Sequence, residues 1–407
     1  MTSRERILEA VSHRPTDSLP IDFGGMRSTG IHAKCYSRLR DHLGIKGGAF
    51  KIYDIFQQLA EPEIPILERM GGDVMQVHRL RPAFGIRIDL WKKSRLPEGH
   101  NILIPETFNP KIDEFGNSKI LDDEGHVLAV MPQNGHYYDP AYHPWAECES
   151  IADIDKIQIP EVTDDELLFL ENQARYLFEN TDKAILLAFG GNIFEGGQLG
   201  FGYEKFYMDL AMNQDMIHYW ADRITSAYIR DLENILRRVG KYVHIVQFGD
   251  DLGTQEALQI SIPMYREMIR PYHTRLYQYV RQNFPGINVF LHSCGAISDL
   301  IPDLIETGVQ ILNPVQISAQ GMNPIKLKRE FGSHLTFWGG GANMQSTVTF
   351  GTVSDIKKEV RELIEIFSKG GGYVFNQVHN IQSDIPPEKV MAIYDTAMEF
   401  RRAIGGR

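Results

Sequence analysis

Short apolar runs alternate along this chain with longer stretches patterned for helices. The strand candidates are "PIDFGG" (20–25), "DVMQVHR" (73–79), "AILLAFGG" (184–191), "YVHIVQFGDD" (242–251), "NVFLHSC" (288–294), "VQILNPV" (309–315), "LTFWGGG" (335–341) and "YVFNQVH" (373–379), eight in all. From the third onward each is followed by a helix-length stretch: 203–238, 256–283, 297–306, 322–331, 354–369 and 387–404. A strand-then-helix rhythm predicts a parallel sheet with right-handed crossovers, and eight units predict closure into a single (β/α)8 TIM-type barrel. An open doubly wound sheet is the alternative.

Two regions depart from the rhythm. Residues 1–70 are expected to supply the first strand and then, over 28–70, helices that wrap one end of the barrel. Residues 108–145 alternate apolar and polar positions, with turn signals at Asp113–Gly116 and Asp123–Gly125, and are expected to form an inserted β-meander. The connection 146–162 then returns the chain to the barrel, and 1–407 reads as one domain.

Composition narrows the function classes. With 43% hydrophobic residues the chain can bury a large core, and its formal charge of -11 is spread without a basic block. That speaks against nucleic-acid or anionic-membrane partners, which want a basic stripe. The polar N-terminus has no signal-peptide core, and no stretch approaches the ~20 apolar residues of a membrane span, so a cytoplasmic location is expected. The three cysteines, Cys35, Cys148 and Cys294, are too scattered for a disulfide framework. A homodimer is left open.

In a parallel barrel, chemistry gathers at the C-terminal strand ends. Those positions carry Gly24 and Gly25, His78 and Arg79, Asn192, Asp250 and Asp251, His292 and Cys294, Asn313 and Gln316, Gly339–Gly341 with Asn343, and His379 with Asn380. Residues i and i+2 of a strand share a face, so His292 and Cys294 could reach one metal ion; a buried histidine beside an inert cysteine is the plainer reading. Asp250 and Asp251, adjacent on a strand, point to opposite faces, so one could face the pocket while the other caps a helix or turn; two loop aspartates with purely structural bonds are the plainer reading. The run Gly339–Gly341 could cradle an anion or form a tight turn. The glycine-rich stretch 189–202 suits a mobile lid, from which Glu195 could reach the pocket.

The arrangement resembles the uroporphyrinogen decarboxylase family, from "RERILEAVSHRPTDSLPIDF" near the start to "GGYVFNQVHNIQSDIPPEKVMAIYDTA" near the end, with Asn380 where a glycine is usual. The arginine-rich signature with which the decarboxylases grip a tetrapyrrole is missing; "PIDFGGMRSTGIHAKCY" offers only Arg27. The family's methyltransferase branch has H-x-C at the strand end as zinc ligands, matched by His292 and Cys294. Its third ligand is a cysteine in the last strand's loop, where this chain has His379.

The resemblance thus implies a zinc-dependent methyltransferase, with His292, Cys294 and His379 as metal ligands. It would move a methyl group between a small methylated substrate or thiol and a separate corrinoid (cobalamin) protein, since no corrinoid module is present in the chain. Asp250 and Asp251 are the candidate catalytic residues, the resemblance favouring Asp250 in the pocket. His78, Arg79, Asn192, Glu195, Asn313 and Asn343 are the candidate substrate contacts. The rival is a metal-independent decarboxylase that uses an aspartate as proton donor and Arg27 or Arg79 as carboxylate anchor.

Overall fold

A computed structural model describes residues 1–405. Seven strands form one curled parallel sheet in sequence order: β1 (Val74–Val77), β2 (Ala184–Gly190), β3 (Ile245–Gly249), β4 (Asn288–His292), β5 (Ile311–Asn313), β6 (Thr336–Trp338) and β7 (Tyr373–Val374). Helices follow the strands, as the architecture of a TIM-type barrel requires. The segment Pro20–Asp22 meets both edges of this sheet. Phe375 N–H donates to Pro20 O (2.9 Å), Asp22 N–H to Phe375 O (2.8 Å), and Asp73 N–H to Ile21 O (2.8 Å).

The alternation of each strand divides its side chains between two apolar layers. Val74, Leu186, Ile245, Phe290, Ile311, Trp338 and Val374 share one cluster, into which the helix Ser3–Val11 inserts Ile7, Ala10 and Val11. That helix therefore plugs the N-terminal end of the sheet, its start fixed by a Thr2/Glu5 capping box. The alternate residues, among them Leu187, Val246, Phe248, Leu291, Leu312 and Phe337, pack outward on the surrounding helices. Each large apolar side chain buried in this way stabilises the fold by roughly 1.5–3 kcal/mol.

Residues 28–70 differ from expectation. Only Ala33–His42 and Ile64–Met70 are helical there, apart from one short turn of 3-10 helix. Phe50–Asp54 and Leu59–Ala60 are strands, joined with Ile31–His32, Asn101–Pro105 and Trp91–Arg95 in a five-stranded sheet. Phe50 and Ile52, two apart and both buried, are the period-2 signal behind the first of them. Further on, Lys111–Ile112, Ser118–Leu121, Val127–Met131 and Asp139–Pro140 form a four-stranded antiparallel sheet in consecutive order. It is seated by Ile120, Ala129 and Tyr138 on Ile55 and Phe108. Among the described residues no helix is long and apolar enough to cross a membrane.

Candidate metal centre

Because Phe290 belongs to the inner layer, His292 and then Cys294 continue inward past the end of β4. Nδ1 of His292 lies 2.6 Å from Asn313 Oδ1 at the end of β5. Asn313 is oriented by its own amide, whose Nδ2 donates to Trp338 O (2.8 Å) while Ser28 Oγ donates to the same Oδ1 (3.1 Å). With an oxygen facing it, His292 must carry its proton on Nδ1, which leaves Nε2 with a free lone pair. That Nε2 is 3.4 Å from Cys294 Sγ. Two ligands of one tetrahedral zinc, with bonds of about 2.1 and 2.3 Å, would be roughly that far apart.

His379 comes from the loop after β7 and brings the ligand atoms of all three residues within 4.8 Å of one another. Its backbone is left-handed (φ 62°), a conformation that costs a non-glycine residue roughly 1 kcal/mol. Gln377 Nε2 holds it there by donating to His379 O (2.8 Å). Burial, helped by the neighbouring His292, pushes the His379 imidazole down to about 3, so it stays neutral and able to ligate. Burial first, then Asp251 and Glu195, pushes the Cys294 thiol well above its ordinary value. A thiolate there requires a positive charge beside it, which a bound metal ion supplies. The donor set and its spacing fit zinc.

The structure places the adjacent aspartates opposite to expectation. Ile245 is in the inner layer, so Gln247, Gly249 and Asp251 follow it inward, while Val246 and Phe248 lead Asp250 outward. Asp250, 0% exposed, caps the helix Phe194–Phe201: it accepts from Ile193 N (3.0 Å), Phe194 N (2.8 Å) and Glu195 N (2.7 Å). Its fourth bond is to His273 Nε2 (2.8 Å), whose Nδ1 is held by Tyr265 Oη (3.1 Å). Asp251 is the carboxylate beside the centre. It accepts the Cys294 N–H (2.8 Å), and the same Oδ1 lies 3.6 Å from His292 Nε2.

Glu195 joins Asp251 from the start of that capped helix. Asn192 Nδ2 donates to Glu195 Oε2 (2.7 Å). Burial and the neighbouring Asp251 and Asp250 push the Glu195 carboxyl up to about 8. The stretch expected to be a mobile lid is thus a buried helix. A Cβ on Gly200 would stand 1.8 Å from the Trp145 ring, so this glycine serves packing, not motion.

Other expected site residues are engaged elsewhere. The amides of Gly339, Gly340 and Gly341 donate to Val374 O, Pro314 O and Asn376 O (3.1, 2.9 and 2.9 Å), so they cradle no anion. Asn343 closes the turn that follows, with Oδ1 accepting Gln345 N (3.1 Å). Arg79 is paired with the buried Glu166, and Arg27 with the fully buried Asp54. Asn313 serves His292, as above. The His78 ring packs tilted against Tyr53, 4.3 Å between ring centroids, and faces Glu61. Asn380 stitches two loops, accepting from Gly30 N (2.8 Å) and donating to Gln57 Oε1 (2.5 Å).

Sequence reasoning missed His273, which carries no motif, and Tyr137. The latter lies just before the last strand of the inserted sheet, its hydroxyl accepting from Gln382 Nε2 (2.5 Å) and within electrostatic reach of Cys294.

Fold and site together give a curled parallel sheet of the TIM-barrel-like α/β class with a candidate His–Cys–His metal centre at its strand ends. The family model "Uroporphyrinogen decarboxylase (URO-D)" matches residues 140–400, and the chain belongs to that family. The uroporphyrinogen decarboxylase of Pelodictyon phaeoclathratiforme is 26% identical over 266 residues, 61% of this chain and 70% of that protein. That of Chlorobium limicola is likewise 26% identical, over 267 residues. Among solved structures, a methyltransferase from Methanosarcina mazei shares the fold with TM-score 0.62 and 16% identity, covering 98% of this chain and 99% of that one.

Proposed function

We propose that the protein is a zinc-dependent methyltransferase, moving a methyl group between a small methylated substrate or thiol and a separate corrinoid protein. Its scaffold would be a (β/α)8 barrel, with residues 20–25 as the strand that closes it. The observation that carries the reading is the convergence of His292 Nε2, Cys294 Sγ and the His379 ring within 4.8 Å, with the tautomer of His292 already set for ligation.

When bound, zinc supplies Lewis acidity, lowering a thiol's pKa or polarising a methoxy or amine substrate. The chain's own residues do the rest. Asn313 fixes the His292 ring, and Asp251 fixes the Cys294 backbone through its N–H. Burial and the neighbouring aspartates push the Glu195 carboxyl up to about 8, which favours a proton held there for a leaving group, while the Asp251 carboxyl lies beside the Cys294 backbone and His292.

The decarboxylase reading rests on the relatives' names. Against it, the two guanidinium groups that could anchor carboxylates, Arg27 and Arg79, are committed to Asp54 and Glu166. Two assays on the purified protein separate the readings. Loaded with zinc, it should transfer methyl between methylcobalamin and one of a panel of small thiols. Uroporphyrinogen should be left unchanged, and zinc-independent decarboxylation of it would reverse the assignment.

A further inference from the structure

Three buried polar atoms without a hydrogen-bond partner, Tyr53 Oη, Gln76 Oε1 and His78 Nδ1, occur in one part of the molecule. Their residues line a cleft of about 620 Å³ between β1, the helix Asp164–Asn180 and the five-stranded sheet. The same residues line a hollow of about 30 Å³ that adjoins it. None of His292, Cys294, His379, Asp251 and Glu195 is among the residues lining either. The hollow has room for about two waters. The cleft has the dimensions of a small-molecule pocket.

Buried polar atoms left unpartnered cost stability, so their grouping at one cavity calls for a partner that the chain does not provide. The floor is mixed in character. Glu61 Oε1 lies 3.6 Å from His78 Nε2, which directs that nitrogen at the carboxylate and leaves Nδ1 without a partner. The Tyr53 hydroxyl can donate or accept, and the Gln76 amide does both. The walls are aromatic, with Trp91, Phe169 and Tyr176, and the Lys51 ammonium lies over the Trp91 ring at 4.9 Å. A flat ring with N–H donors and acceptors along one edge complements such a cleft on both counts.

We propose that this cleft is a second small-molecule site that takes a planar nitrogen heterocycle, its polar edge toward Tyr53, Gln76 and His78 and its face on the aromatic walls. The site is independent of the metal centre and of the reaction assigned to it.

Isothermal titration of the intact protein tests this, with adenine as the probe and indole as a ring of similar size that has one donor and no ring-nitrogen acceptor. Adenine should bind once per chain and at least about tenfold more tightly than indole. Tyr53→Phe and His78→Phe should each weaken it by about fivefold or more, the worth of one hydrogen bond, while Cys294→Ser leaves it unchanged. Tyr53→Phe removes an oxygen that bonds nothing, so the fold survives it; circular dichroism verifies this. Absence of adenine binding at millimolar concentration overturns the proposal. So does equal affinity for indole, which would mark an apolar cleft only, or binding untouched by both variants.

Discussion

His292 and Asn313 sit side by side in the register of β4 and β5, and the 2.6 Å bond between Nδ1 and Oδ1 decides which imidazole nitrogen faces Cys294. The ligand is prepared by a neighbour that would itself touch no metal. Replacing Asn313 with Leu removes the acceptor and frees the tautomer. Zinc affinity, measured by competition with a chromophoric chelator, should fall about 10–100-fold. Undiminished affinity would show that the ring is held by something else.

Protein purified without added metal should contain one zinc per chain by elemental analysis. Cys294→Ser and His379→Ala should each deplete it. Full zinc in His379→Ala would remove that residue from the ligand set, and negligible zinc in the unaltered protein would remove the site.

The two aspartates should separate cleanly. Asp250→Asn weakens a buried carboxylate that holds three backbone N–H groups and His273, so it should lower unfolding free energy in urea by roughly 2–4 kcal/mol. Asp251→Asn should leave the urea midpoint nearly unchanged and cut methyl transfer by ~10²-fold, the scale of a positioned acid or base. The reverse pattern would restore Asp250 as the pocket group.

His244 sets a pH dependence far from the metal centre. Its Nδ1 accepts the Ile185 N–H (3.1 Å), and burial followed by Arg4 pushes the ring down to about 4. A group whose folded value lies below its unfolded one favours the native state above about pH 6.5, and that contribution is lost as pH falls toward 4. The half-buried ring should account for roughly 1–2 kcal/mol of the stability lost over that window. In His244→Asn the denaturation midpoint should vary less between pH 6.5 and 4; an identical slope would refute the assignment.

The sequence alone determined what local periodicity can determine. Seven of the eight apolar runs announced the strands of the curled sheet, the eighth (20–25) meeting its edges only through Pro20–Asp22, and turn glycines announced the inserted antiparallel sheet. The i, i+2 spacing put His292 and Cys294 on one face, because a strand repeats every two residues whatever surrounds it. It did not find the strands Phe50–Asp54 and Trp91–Arg95, whose charged positions mask the alternation even though each has a pairing partner nearby in the chain.

Nor could it choose between Asp250 and Asp251. Period 2 says that the two part company but not which face is inner, since a strand covered on both sides is apolar on both. Only the packing of Ile245 against the inner layer with Phe290, and of Phe248 against the outer helices, made that choice. The Asp250–His273 pair is of the same kind, and His379, expected beside His292 and Cys294 only from the family resemblance, reaches them in space only once the sheet has curled.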